Sequence, residues 1–124
     1  MKRHFVFILC LIGFVLCASA DEGTAAAINL QHHNHGDHNE YYPPADMPEV
    51  YFDSDLQEII IYADGFADYY DVDIISLSTM MAVISTQVDG YGDSIDISLI
   101  PDDNYRIVIT SSNNNVYVGQ FTNY

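Results

Sequence analysis

The chain has 124 residues, with 3 lysine and arginine residues against 18 acidic residues and a formal net charge of −15 at pH 7. Such a charge repels phosphate backbones and anionic lipid headgroups, so nucleic-acid binding and membrane association are disfavoured. It favours cationic partners or divalent metals, or simply keeps the protein soluble.

Residues 1–20 have the layout of a secretory signal peptide. Residues 1–4 are basic, an apolar run over 5–17 is interrupted only by Gly13, and small residues fill 18–20. The apolar run is too short for a membrane-spanning helix, which needs roughly 20 residues. We therefore predict an exported protein that is periplasmic, cell-surface or secreted, with no membrane contact after cleavage.

Cleavage at this point changes the chemistry of the mature chain. Cys10 and Cys17 leave with the signal peptide, so disulfides and thiol catalysis are excluded. Arg106 is then the one Lys or Arg of the mature chain, which keeps all 18 acidic residues.

Residues 21–47 are predicted to form a flexible, histidine-rich arm. The segment shows no sustained apolar period, and Pro43, Pro44 and Pro48 oppose a helix. We expect disorder or an extended lead-in to a single domain over residues 48–124.

The remaining chain predicts about seven short antiparallel strands. Runs rich in Val, Ile, Tyr and Phe alternate with turns of Asp, Gly, Asn and Ser, and no segment has a helical period. Gly119 marks a bulge or a close backbone approach in the last strand. This pattern is typical of an immunoglobulin-like β-sandwich. The strands are expected in residues 49–53, 57–63, 70–77, 80–88, 95–99, 105–110 and 116–122.

One local feature favours that topology over a meander barrel. A polar loop containing Pro101 delivers Tyr105 to the start of a strand. Immunoglobulin-like sandwiches place a tyrosine there, and its hydroxyl bonds back to the backbone a few residues upstream. We predict such a tyrosine corner at Tyr105.

Residues 44–121 resemble the small secreted immunoglobulin-like domains of unknown function from Bacteroidetes. The resemblance is carried by the strand patterns PEVYFD, YDVDI, IDISL, NYRIVI and VYVGQF. It implies the sandwich fold and assigns no catalytic residue. The C-terminal pattern also resembles the sorting domains of a Bacteroidetes secretion system, but the mature chain has no separate cargo domain.

A cluster of histidines in the arm is a candidate metal site. Imidazole is a ligand of Zn²⁺, Cu²⁺ and Ni²⁺, and four histidines lie within a short stretch. Acidic loops offer a second possibility, since carboxylates bind Ca²⁺, but their spacing matches no helix-loop-helix calcium loop. The candidate transition-metal ligands are His32, His33, His35 and His38.

The sequence predicts neither an enzyme nor a cofactor. Every mature histidine lies in the arm, no Gly-x-Ser-x-Gly motif occurs, and a small sandwich without Trp has little room for a sugar cleft. Ten tyrosines are present, and several lie in predicted loops. Because exposed tyrosines suit binding surfaces, we predict an interaction module for an extracellular protein or glycan, using Phe66, Tyr69 and Tyr91. A metal-binding protein is the alternative.

Overall fold

The computed structural model describes residues 25–33 and 44–124. These residues form nine strands in two antiparallel sheets. No helix in this part of the chain is long and apolar enough to cross a membrane. The strands are β1 (Ala25–Ile28), β2 (Gln31–His33), β3 (Glu49–Asp53), β4 (Glu58–Tyr62), β5 (Tyr69–Ser76), β6 (Ala82–Asp89), β7 (Gly92–Asp96), β8 (Asp103–Ser111) and β9 (Val116–Asn123).

The two sheets pack face to face as a β-sandwich. The larger has the order β2-β9-β8-β5-β6, and the smaller has the order β1-β3-β4-β7. Alternate residues point inwards, as in β8, where Tyr105, Ile107 and Ile109 are fully buried. Phe52 of the smaller sheet meets Phe121 of the larger one, with ring centroids 5.2 Å apart. The predicted fold class is therefore confirmed.

All seven predicted strands of residues 48–124 are present as β3 to β9. The strongest period-2 pattern, in β8, gives an unbroken ladder with β9 from Val116↔Thr110 to Asn123↔Asp103. That ladder passes through Gly119 without a register shift, so the bulge expected there is absent. The alternative expectation for Gly119, a close backbone approach, is correct.

The prediction of a flexible arm is wrong for residues 25–33. β1 pairs with β3 in the smaller sheet, and β2 pairs with β9 in the larger sheet. The chain crosses between the sheets at Gly119, where a Cβ atom would lie 2.7 Å from Ile28 Cγ2 and 2.9 Å from the Asn29 carbonyl. The outer backbone groups of β3 and β9 are thus hydrogen-bonded to a segment whose side chains show no period-2 alternation.

The tyrosine corner is confirmed. The Tyr105 hydroxyl donates to the backbone carbonyl of Pro101, four residues upstream. Tyr105 is fully buried, and its ring stacks on Phe121 with centroids 5.4 Å apart. The loop between β7 and β8 is thereby tied to the start of β8.

Candidate interaction surface at the loop end

The antiparallel topology brings four connecting segments to one end of the sandwich, here named the loop end. They are residues 44–48 before β3, 63–68 between β4 and β5, 90–91 between β6 and β7, and 112–115 between β8 and β9. Backbone hydrogen bonds join neighbouring segments there, for example from Gly65 N to Gly90 O at 3.1 Å. The loop end is therefore a single surface made from distant parts of the sequence.

A buried carboxylate, Asp46, lies beneath this surface. Its side chain accepts hydrogen bonds from the Tyr117 hydroxyl and from the amide groups of Asn113 and Asn115, the amides at 3.0 to 3.2 Å. Its backbone carbonyl accepts the Tyr70 hydroxyl at 2.7 Å. One residue thus connects segment 44–48 to β5, to β9 and to the 112–115 turn.

The hydrogen bonds determine the protonation state of Asp46. Burial raises the pKa of its carboxyl group, but donors from Ser111, Tyr117, Asn113 and Asn115 lower it and prevail, so the pKa lies below its usual 3.8. Asp46 is therefore an ionised carboxylate at neutral pH. Buried charges of this kind are retained where they are fully hydrogen-bonded.

The same site keeps its tyrosines protonated. Burial, together with the charges of Asp46 and Asp64, raises the pKa of Tyr70 to about 12. Burial, the hydrogen bond to Asp46 and the Asp46 charge raise the pKa of Tyr117 well above its usual value. Both phenols therefore remain donors throughout the neutral range.

The Ser-Ser-Asn-Asn-Asn sequence explains the 112–115 turn. Asn114 adopts a left-handed φ of 71°, which asparagine tolerates better than most residues. The Ser111 hydroxyl accepts the backbone N–H groups of Asn113 and Asn115, at 3.2 and 3.3 Å. These local bonds leave the side-chain amides of Asn113 and Asn115 directed at Asp46.

The 112–115 turn in turn holds the 63–68 loop. The Asn113 amide donates to the Phe66 carbonyl at 3.1 Å, and Ser112 Oγ accepts the Asp68 N–H at 2.8 Å. The 90–91 turn packs against the same loop, because a Cβ on Gly90 would lie 2.1 Å from the Ala67 carbonyl oxygen. Asp46 thereby supports the other three segments: the 112–115 turn directly, the 63–68 loop through Asn113, and the 90–91 turn through that loop.

Of the predicted binding residues, Phe66 and Tyr91 lie in loop-end segments, and Tyr69 begins β5 directly after the 63–68 loop. The side chains of Phe66, Tyr69 and Tyr91 are 62%, 39% and 72% exposed. The Tyr91 ring lies against Gly65, where an added Cβ would be 2.7 Å from the ring. The supporting residues Asp46, Asn113 and Asn115 were not singled out from the sequence, since nothing in a single chain pairs them across 67 and 69 positions.

The structure separates the predicted histidine ligands. His32 and His33 are neighbours on β2, opposite Tyr117 and Val116, so their side chains point to opposite faces of the sheet. The His32 ring packs on Tyr117 with centroids 5.4 Å apart. With β2 intact, these two imidazoles are not presented to one ion. His35 and His38 lie outside the described residues.

The acidic side chains accept hydrogen bonds from nearby backbone N–H and hydroxyl groups. Asp53 Oδ1 accepts the N–H groups of Asp55 and Leu56, each at 3.0 Å. Asp103 Oδ2 accepts the hydroxyls of Ser76 and Ser78, each at 2.6 Å. Across residues 25–33 and 44–124, no three His, Cys, Asp or Glu side chains come together in a group that would hold a metal ion.

No protein-family model matches the chain, and no curated protein matches its sequence. Among solved structures, it is similar to a DUF3244 family protein with an immunoglobulin-like β-sandwich fold from Bacteroides vulgatus ATCC 8482. The two share 15% sequence identity with a TM-score of 0.63, over 81% of this chain and 99% of the other. The chain thus has the fold of the small immunoglobulin-like Bacteroidetes domains that its strand patterns resemble.

Proposed function

We propose that this chain is an exported, non-catalytic interaction module that binds an extracellular protein or glycan through its loop end. The observation that carries the proposal is the hydrogen-bonded support of exposed aromatic side chains by buried Asp46. Phe66, for example, has a backbone carbonyl held by Asn113 and a side chain that projects into solvent.

This arrangement suits binding for energetic reasons. Association costs free energy when loops and side chains must be ordered, and loops that are already fixed reduce that cost. Tyrosine adds a large contact area with few rotatable bonds. Phe66 and Tyr91 therefore offer apolar contact from a surface that is organised before the partner arrives.

The test compares binding by the wild-type protein and two variants, on a glycan array and in pull-downs of extracellular proteins. The first variant combines Phe66→Ser with Tyr91→Ser. The control is Leu99→Ser, which changes a side chain that is 96% exposed at the opposite end of the sandwich. We expect a ligand of the wild-type protein to be lost by the double variant and retained by the control. If the double variant still binds the ligand, or if both variants lose it equally, the loop end is excluded as the binding site.

A further inference from the structure

The outer face of the smaller sheet carries a shallow hollow of about 500 Å³. Tyr51 and Tyr62 supply its aromatic part, with ring centroids 5.8 Å apart and planes inclined by 73°. Both side chains belong to the outward-facing set of their strands. The hollow is lined by Ala25, Glu49, Tyr51, Ile60 and Tyr62.

The register explains why these rings are accessible. Tyr51 and Ile60 are paired on the two central strands, with Ala27 next to them on edge strand β1 and Ser94 on edge strand β7. Large side chains in the centre are thus flanked by small ones at both edges. Tyr62, whose register neighbours are Glu49 and Gly92, is 56% exposed.

The polar groups of the hollow are mainly acceptors. The Tyr51 hydroxyl donates to Glu49 Oε1 at 3.3 Å, which uses its single proton. The ring faces, the Glu49 carboxylate and the phenol oxygens are then available to a ligand. A neutral sugar needs donors as well as acceptors, whereas a cation with N–H groups needs acceptors and electron-rich rings.

The charges around the hollow have one sign. Glu49 lies at one side of the tyrosine pair, while Glu58 and Asp96 face each other in the register at the other side. Arg106, which is the one Lys or Arg of residues 25–33 and 44–124, lies in the other sheet. Because the carboxylates flank aromatic rings, the hollow suits a cation with spread charge that can also stack on a ring.

We propose that this hollow binds the guanidinium group of an arginine side chain on a basic partner. A guanidinium is planar and weakly hydrated, stacks on aromatic rings and donates hydrogen bonds to carboxylates, and the hollow offers both kinds of contact. The site lies on the outer face of the smaller sheet and borders the loop end at Glu49 and Tyr62, but it shares no lining residue with that surface. The proposal does not depend on the function proposed for the loop end.

The probe is the peptide acetyl-Gly-Arg-Gly-amide, titrated into the isotope-labelled protein and followed by NMR. The matched peptide with citrulline in place of arginine has the same shape without the charge. We expect saturable shifts at Tyr51, Tyr62 and Glu49 with the arginine peptide and much smaller ones with citrulline. Equal shifts with citrulline, or unsaturated shifts spread over all acidic residues, would overturn the proposal. Shifts at the hollow with a neutral tetrasaccharide alone would do so too.

A variant pair gives an independent measurement. Tyr62→Ser should lower the affinity for the arginine peptide by about threefold or more, which is the effect expected from loss of an exposed cation-π contact. Tyr124→Ser is the control, because Tyr124 is 78% exposed at the chain end and outside the hollow. Equal affinities of the two variants would contradict the assignment. A thermal melt checks that Tyr62→Ser is folded. If it is not, the chemical-shift map of the wild-type protein alone tests the site.

Discussion

The Tyr117 hydroxyl donates a hydrogen bond to the Asp46 carboxylate, although 71 positions of sequence separate the two residues. The bond ties the segment before β3, in one sheet, to β9 of the other. The Asp46 carboxylate also accepts the side-chain amides of Asn113 and Asn115, and its backbone carbonyl accepts the Tyr70 hydroxyl. A single residue thus links the two halves of the sandwich at the end where the exposed aromatics lie.

Replacing Asp46 should therefore destabilise the fold strongly. Asp46→Ala leaves the buried Tyr117 hydroxyl and two amides without their acceptor, and we expect a loss of about 3 kcal/mol in the free energy of unfolding. Asp46→Asn keeps the shape and one acceptor oxygen, so it should cost less. Urea denaturation measures both. The exposed control Asp102→Asn should stay within about 0.5 kcal/mol of wild type, and an Asp46→Ala variant equal to that control would contradict the role of Asp46.

Acid should remove the Asp46 contribution specifically. The pKa of Asp46 is lower in the folded than in the unfolded chain, so its stabilisation is present above about pH 3.8 and is lost as the pH falls through the folded pKa. Asp46→Asn has no such titration. The stability difference between wild type and Asp46→Asn, measured by urea denaturation at several pH values, should be constant near neutrality and shrink below about pH 3.8. A difference that stays constant into strong acid would argue against an ionised Asp46.

Alkali should destabilise the protein through its buried tyrosines. The pKa of Tyr70 is raised to about 12, while an unfolded tyrosine ionises near pH 10. A raised folded pKa contributes stability below about pH 10, and this contribution is lost as the pH rises from there through 12. Phenolate absorbance should show a late step well above pH 10, in which Tyr70 and Tyr117 ionise only as the protein unfolds. A single step near pH 10 in the folded protein would refute this expectation.

The sequence predicts the sandwich well where side chains alternate. β8 and β9 follow from period-2 patterns, and the Tyr105 corner follows from a Pro-containing loop before a strand. β1 and β2 do not follow from any pattern, because Ala25–Ile28 and Gln31–His33 are held by the backbone groups of β3 and β9. Their pairing is a tertiary effect that the local sequence does not encode.

The candidate surfaces divide in the same way. Exposed aromatic residues in loops were predictable, since Phe66 and Tyr91 lie in segments rich in Asp and Gly, which are typical of turns. The Asp46 site was not predictable, because it forms only when the turn at residues 112–115 contacts Asp46, a residue of the predicted arm. The tyrosine pair on the outer face was also missed, since Tyr51 and Tyr62 become neighbours only through the β3–β4 register, which sets Tyr62 opposite Glu49.

His32 should stabilise the protein by packing, without a metal. Its ring lies on Tyr117 at 5.4 Å between centroids, so His32→Ala should lower the free energy of unfolding by about 1 kcal/mol. Because His33 points to the opposite face, Zn²⁺ or a chelator should leave the melting temperatures of the wild-type protein and of His32→Ala unchanged. A zinc-dependent rise that disappears in His32→Ala would instead support the histidine metal site.

Gly119→Ala should release the N-terminal strands while leaving the central sheet intact. The new Cβ would lie 2.7 Å from Ile28 Cγ2 and 2.9 Å from the Asn29 carbonyl, and a backbone atom at that distance yields only if the crossing segment moves. We expect a cost of about 1 to 3 kcal/mol. Hydrogen exchange should accelerate over residues 25–33, with protection kept in β5 and β8 at the sheet centre. Thr122→Ala, at an exposed position of β9 that does not pair with β2, is the control. Unchanged exchange in residues 25–33 of Gly119→Ala would show that the crossing does not depend on this contact.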